Sequence, residues 1–188
     1  MSQVDSKSHT IDEELVVRAR GGDGSAVRRL CERYRGALIA FCYRYLCDTQ
    51  DAEDAAQSTL ARIVAEDRWP KGTFRPWLYC IARHHCLNLV RDNPGNRIGL
   101  GTFFRESKLL SPRTGPGTAV AKHEIGERIR RSLAALPEDL AEVLTLQYFE
   151  DMSRHEIADV LGVSEIAVKG RLAKARREMA HHFTLDEQ

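Results

Sequence analysis

The sequence predicts an all-α protein made of two small helical domains joined by a flexible linker. Helical periodicity runs from about Asp12 to Asp92 and resumes from Lys122 to about Phe183. Between the two lies a stretch rich in proline and glycine with little periodicity. Near the C-terminal end, residues 153–177 carry the pattern of a helix-turn-helix whose second helix is basic. A chain of 188 residues exceeds the commonest single-domain size and can build two cores. The expected boundaries are 12–92, a linker over 93–121, and 122–183.

In the first block, Leu15, Val16 and Ala19 start a helix that Gly21, Gly22 and Gly24 break. A longer helix follows, with Leu30, Tyr34, Leu38, Phe41, Cys42 and Tyr45 at helical spacing. The next spans roughly Asp51 to Glu66 and opens with carboxylates, which favour a helix N-terminus. Ala52, Ala56, Leu60 and Ile63 trace its inner face. Asp51, Asp54 and Gln57 lie to one side as an acidic, hydrogen-bonding strip, read either as a docking surface for a basic coiled coil or as a solvated acidic turn that supports the helix dipole. A loop around Trp69, Pro70, Lys71 and Gly72 leads to a helix from Phe74 or Pro76 to about Val90, on which Trp77, Leu78 and Ile81 fit a packed face.

The linker contains Pro94, Pro112, Pro116 and five glycines over residues 93–118, a composition that favours extended chain. It is not purely polar, because Phe103, Phe104, Leu109 and Leu110 lie within it, beside Arg97, Arg105, Lys108 and Arg113.

In the second block, Ser153 followed by Glu156 is a capping box, Gly162 can end the helix it starts, and Ser164 caps the next. On that second helix Val168, Leu172, Ala175 and Met179 share one side. Ile166, Lys169, Gly170, Ala173, Lys174 and Arg177 share the other, with Arg171 and Arg176 at the edges. Small residues permit close approach and cations meet phosphates or guanine edges, so this face suits a major groove. A solvated amphipathic hairpin is the plainer alternative.

The formal net charge of +1 conceals segregation. Asp48, Asp51, Glu53 and Asp54 crowd together, as do Lys169, Arg171, Lys174, Arg176 and Arg177, which implies two kinds of partner. No run of 18 apolar residues and no apolar signal core occur, which argues against membrane insertion and export and for a cytoplasmic protein. The five cysteines (Cys31, Cys42, Cys47, Cys80 and Cys86) are odd in number and form no CxxC pair, so no disulfide framework is expected. Cys80 and His84, with His85 and Cys86 beside them, are the nearest approach to a metal-ligand or thiol-enzyme cluster; the spacing is looser than structural zinc sites use.

Trp69, Phe74, Trp77 and Tyr79 are interleaved with Arg68, Lys71, Arg75, Arg83 and Arg91. Aromatic faces with cations suit single-stranded DNA, the rings taking unstacked bases and the charges the backbone. Trp77 is expected in the core.

These segments, in this order, resemble the sigma factors of the sigma-70 family, of the extracytoplasmic-function (ECF) class. The stretch DEELVVRARGGDGSAVRRLCERY resembles the start of region 2, and DTQDAEDAAQSTLARIVAE its polymerase-gripping helix. FRPWLYCIARHHCLNLVRD resembles the segment that reads the −10 promoter element. LPEDLAEVLTLQYFEDMSRHEIADVLGVSEIAVKGRLAKAR resembles region 4, which reads the −35 element.

The resemblance implies a promoter-specificity subunit without an active site, metal or cofactor of its own. It would bind core RNA polymerase at the β′ clamp helices, through Asp51, Glu53, Asp54 and Gln57, and at the β flap. The −10 DNA would meet Trp69, Lys71, Arg75, Arg83, His84, Asn88 and Arg91, with the Trp69–Thr73 loop the better candidate to hold a flipped base. The −35 DNA would meet Ile166, Lys169, Gly170, Arg171, Lys174 and Arg177. An anti-sigma factor is a further implied partner. Many relatives carry asparagine where this chain has His84, which leaves Asn88 as the amide nearest that turn. The competing readings are a free-standing helix-turn-helix regulator, which needs neither the acidic strip nor the aromatic-basic segment, and a metal- or thiol-dependent enzyme resting on the Cys/His cluster alone.

Overall fold

The computed structural model describes residues 3–65, 69–70, 73–92, 100–106, 128–129 and 131–185, with side chains from residue 12 onward except at 106 and 183–185. Among the described residues every regular element is an α-helix. Two compact units result: Met1–Asp92, with which Asp159–Leu161 is grouped, and Asn93–Ala158 with Gly162–Gln188.

The first unit contains α1 (Gln3–Arg20), α2 (Gly24–Leu46), α3 (Thr49–Ala65) and α4 (Phe74–Asp92). Helix α2 is the central element, packing against the other three. Its start is fixed by Asp23, whose Oδ1 accepts the backbone N–H groups of Ser25 at 2.9 Å and Ala26 at 3.3 Å. Hydrogen bonds from the Ser25 side chain and from Arg18 hold the Asp23 carboxyl well below the usual carboxylate range. Leu30, Leu38, Phe41 and Cys42 are fully buried on its inner face, as their spacing predicts.

Helix α3 lies against α2 through small residues, Ala52, Ala55 and Ala56, continued by Thr59 and Ile63. Thr59 donates from Oγ1 to the Ala55 carbonyl at 2.8 Å, so burial leaves its hydroxyl satisfied. Leu60, expected on this face, is only half-buried, because the stripe is centred on Ala52, Ala56 and Thr59 and leaves Leu60 at its edge. Helix α4 closes the bundle with Leu78, Tyr79, Ala82 and Cys86. Its Tyr79 ring meets Phe41 edge-on at 5.0 Å.

All five cysteines are free thiols. Cys42 and Cys86 are buried and hydrogen-bonded to each other, and that bond together with burial raises the Cys86 thiol. They are packing residues rather than reactive ones.

The second unit contains α5 (Leu100–Glu106), α6 (Glu138–Tyr148), the first part of α7 (Arg154–Leu161) and α8 (Glu165–Leu185). Helix α5 falls inside the stretch 93–121. Leu100 and Phe104 are fully buried, and both Phe103 and Phe104 meet the Phe149 ring, at 6.4 and 6.0 Å. Gly101 lies so close to the Ala134 carbonyl that an added Cβ would sit 3.4 Å from it. Two turns of helix are too short to show a period among prolines and glycines, so its anchoring depends on residues far along the chain. Arg97, Leu109, Leu110, Lys108 and Arg113 lie outside the described residues; Arg105 is exposed. Among the described residues no helix is long and apolar enough to cross a membrane.

Candidate nucleic-acid interface

Helices α7 and α8 form the expected helix-turn-helix, and each joint is made by a named side chain. Ser153 Oγ accepts the Glu156 N–H at 3.3 Å, while the Ser153 N–H donates to Glu156 Oε2 at 2.9 Å, completing the capping box. Gly162 ends α7 at φ 66°, a conformation that costs residues with a Cβ. Ser164 Oγ then accepts the Ala167 N–H at 3.2 Å, and His155 Nδ1 lies 3.1 Å from Glu165 Oε1.

This geometry turns Val168, Leu172 and Ala175 into the core, with Met179 half-buried. Ile166, Lys169, Gly170, Ala173, Lys174 and Arg177 all remain exposed. A Cβ built on Gly170 would meet nothing within 4 Å, so this part of the face is open. The two edge arginines turn toward α6 instead. Arg171 is half-buried with Nε 3.7 Å from Asp139 Oδ2. Arg176 donates to Gln147 Oε1 at 3.1 Å and to the Tyr148 hydroxyl at 3.4 Å. Helical angle places these residues at an edge but does not show what waits there.

On α3, Asp51, Glu53, Asp54 and Gln57 are all exposed, opposite the alanine stripe. Asp48 Oδ1 accepts the Asp51 N–H at 2.9 Å, so one carboxylate of the cluster caps the helix. The others present a continuous acidic surface.

At the start of α4 the aromatics form one stack. Trp69 lies 5.7 Å from Phe74 at 23° and 6.2 Å from Trp77, and Phe74 meets Tyr34 edge-on at 5.5 Å. Trp77, expected in the core, is half-buried, as is Trp69. Phe74, Leu78 and Tyr79 take the core positions and leave both indoles as its cover. An indole is large enough to contribute to packing while keeping an accessible edge. Arg20 of α1 donates to the Pro70 carbonyl and ties this loop to the bundle, a contact with no signal in the sequence.

His84, Asn88 and Arg91 share one exposed stripe of α4 with half-buried Cys80, by the (i, i+4, i+7) spacing. Arg83 lies about 100° from that stripe and is half-buried. Arg75 lies on the far side, its guanidinium 5.9 Å from the Tyr79 ring centroid. The structure therefore gathers His84, Asn88 and Arg91 and separates Arg75 from them. Lys71 and Arg68 lie outside the described residues. Cys80 Sγ is 3.5 Å from His84 Nδ1, but that nitrogen also lies 2.8 Å from the Cys80 carbonyl, and burial pushes the thiol pKa up. Among the described residues no third metal-ligating side chain joins them.

The family model for sigma-70 region 2 matches residues 30–94, and that for sigma-70 region 4 matches residues 126–179. The chain is 30% identical over 173 residues to the RNA polymerase sigma-H factor of Pseudomonas aeruginosa, covering 88% of this chain and 90% of that one. The chain belongs to the sigma-70 family. It is 24% identical over 175 residues to the ECF sigma factor SigW of Bacillus subtilis, across 89% and 94% of the two chains. It is thus an RNA polymerase sigma factor of the ECF type and serves transcription initiation. The fold matches that of the sigma factor RpoE, solved in complex with the anti-sigma factor NepR from Bartonella quintana. The TM-score is 0.60 at 20% identity, over 85% of this chain and 97% of that one. In this sigma factor α3 and α4 lie within the matched region 2 span and α2 largely within it, α6 and α7 lie within the region 4 span and α8 largely within it, and α5 lies between the two spans.

Proposed function

We propose that this sigma factor divides its work among three surfaces, one acidic and two that carry cations. Asp51, Glu53, Asp54 and Gln57 of α3 dock on the β′ clamp helices of core polymerase, with a further contact between region 4 and the β flap. Trp69, with His84, Asn88 and Arg91 on the exposed stripe of α4, meets the −10 element as it opens; Lys71, Arg75 and Arg83 supply charge around it. The face of α8 that carries Ile166, Lys169, Gly170, Lys174 and Arg177 enters the major groove of the −35 element, with Arg171 at its margin. The chain contributes no catalytic group, and nucleotidyl transfer belongs to the polymerase in the cytoplasm. By analogy with RpoE and NepR, an anti-sigma factor competes for these surfaces.

The observation that carries the reading is the capped helix-turn-helix. It presents lysines and small residues outward while Val168, Leu172 and Ala175 fix its inner side. Run-off transcription with added core polymerase tests it. The full chain should confer promoter-specific initiation that the core lacks. D54K should weaken core binding. The K169A/K174A double variant should keep core binding and lose dependence on the −35 sequence. Sequence-specific footprinting by the chain without core polymerase, and no stimulation of transcription, would favour the free-standing regulator.

A further inference from the structure

Ile166 is 83% exposed, the most exposed of the large hydrophobic side chains described in this chain. A single apolar residue on a surface is ordinarily of no consequence. Its position makes this one different. It is the second residue of α8, on the face that carries Lys169, Gly170 and Ala173, and N-terminal residues of the second helix are those that reach base edges in a helix-turn-helix.

The backbone around it is also pinned on both sides. Ser164 caps the following turn through the Ala167 N–H at 3.2 Å, and His155 holds the adjacent Glu165 at 3.1 Å. A β-branched side chain on a helix has essentially one χ1 rotamer, so the Ile166 methyl groups are presented in one direction at little entropic cost.

An aliphatic group can neither donate nor accept a hydrogen bond. Against guanine N7 and O6, or the cytosine amino group, it would desolvate polar atoms and return nothing. In the major groove the one apolar partner offered by a base is the thymine 5-methyl group. We infer that Ile166 reads a thymine 5-methyl in the −35 element and makes that position specific for a T·A pair. The lysines on the same face attract phosphates and guanines next to it. This inference rests on the proposed assignment of α8 to the −35 element and assigns one base class within it.

The test separates the two. Holoenzyme reconstituted from core polymerase and the full chain is first run against a promoter library randomised over the −35 element. Each preferred thymine is then replaced singly by uracil, which removes the methyl group and keeps the pairing. For the unaltered chain one replacement should weaken binding about fourfold, the equivalent of one buried methyl group. For I166A the same replacement should have no effect, and the library preference at that position should relax. A −35 preference without thymine, or an equal uracil effect in both proteins, overturns the assignment of Ile166 and leaves the groove reading intact. The absence of any −35 preference overturns both.

Discussion

The Tyr34 hydroxyl donates to Asp12 Oδ2 at 2.6 Å, joining α1 to α2 through two buried side chains. Arg33 Nε lies 3.0 Å from the other carboxylate oxygen, so the buried charge is compensated from the same helix. The Tyr34 ring in turn packs edge-on against Phe74 at the foot of the tryptophan stack. A polar contact between the first two helices thus lies directly beneath the residues assigned to promoter opening.

Removing that hydroxyl leaves a buried carboxylate short of a donor. Y34F should destabilise the protein by about 1–3 kcal/mol, measured as a lower urea midpoint with an unchanged slope. An unchanged midpoint would mean that Arg33 alone satisfies Asp12.

The same contact sets a pH dependence. Burial first, then the hydrogen bond to Asp12 and its charge, raise the Tyr34 pKa well above the ordinary tyrosine value. The folded state therefore retains a proton that the unfolded chain releases near pH 10. Stability from this source is fully present below about pH 10 and is lost as pH rises above it. Urea midpoints from about pH 8 to about pH 11 should fall at the alkaline end, and less so in Y34F. Equal slopes in the two proteins would assign the alkaline loss to other groups.

Phe104 of α5 is fully buried and meets the Phe149 ring. F104A should therefore cost about 3–5 kcal/mol, the penalty of an aromatic core cavity. Thermal unfolding checks it; a wild-type midpoint would mean that α5 adds little to the core of its unit.

Charge reversal on α3 should act on binding alone, because Asp54 is exposed. D54K should weaken association with core polymerase in a pull-down while its unfolding free energy stays within the usual small range for surface substitutions, about ±0.5 kcal/mol. Full binding would assign the acidic strip to solvent.

On α8, base readers and phosphate contacts differ in their salt response. Substituting a lysine that meets only phosphate should weaken all −35 sequences alike and reduce the salt slope by about one ion. Substituting a base reader should relax one position at a cost of about 1–3 kcal/mol. We expect Lys169 and Lys174 to behave in the second way and Arg177, nearer the helix C-terminus, in the first. Uniform loss for all three would make α8 a positioning helix without base readout.

What the sequence determined by itself is everything whose cause lies within a turn or two of the residue concerned. The Ser153–Glu156 box, the turn at Gly162, the inner and outer faces of α8 and the exposed carboxylates of α3 follow from local spacing, because capping and helical periodicity act over three or four residues. The tertiary structure decided the rest. Trp77 shares the edge of the core with Trp69 because Phe74 and Tyr79 fill the interior, and α5 is held by Phe149, more than forty positions away. Arg171 and Arg176 turn to Asp139, Gln147 and Tyr148, and Asp12 finds Tyr34, through approaches that no helical angle encodes. A side chain at the margin of a helix face takes its role from whichever distant group the fold brings to it.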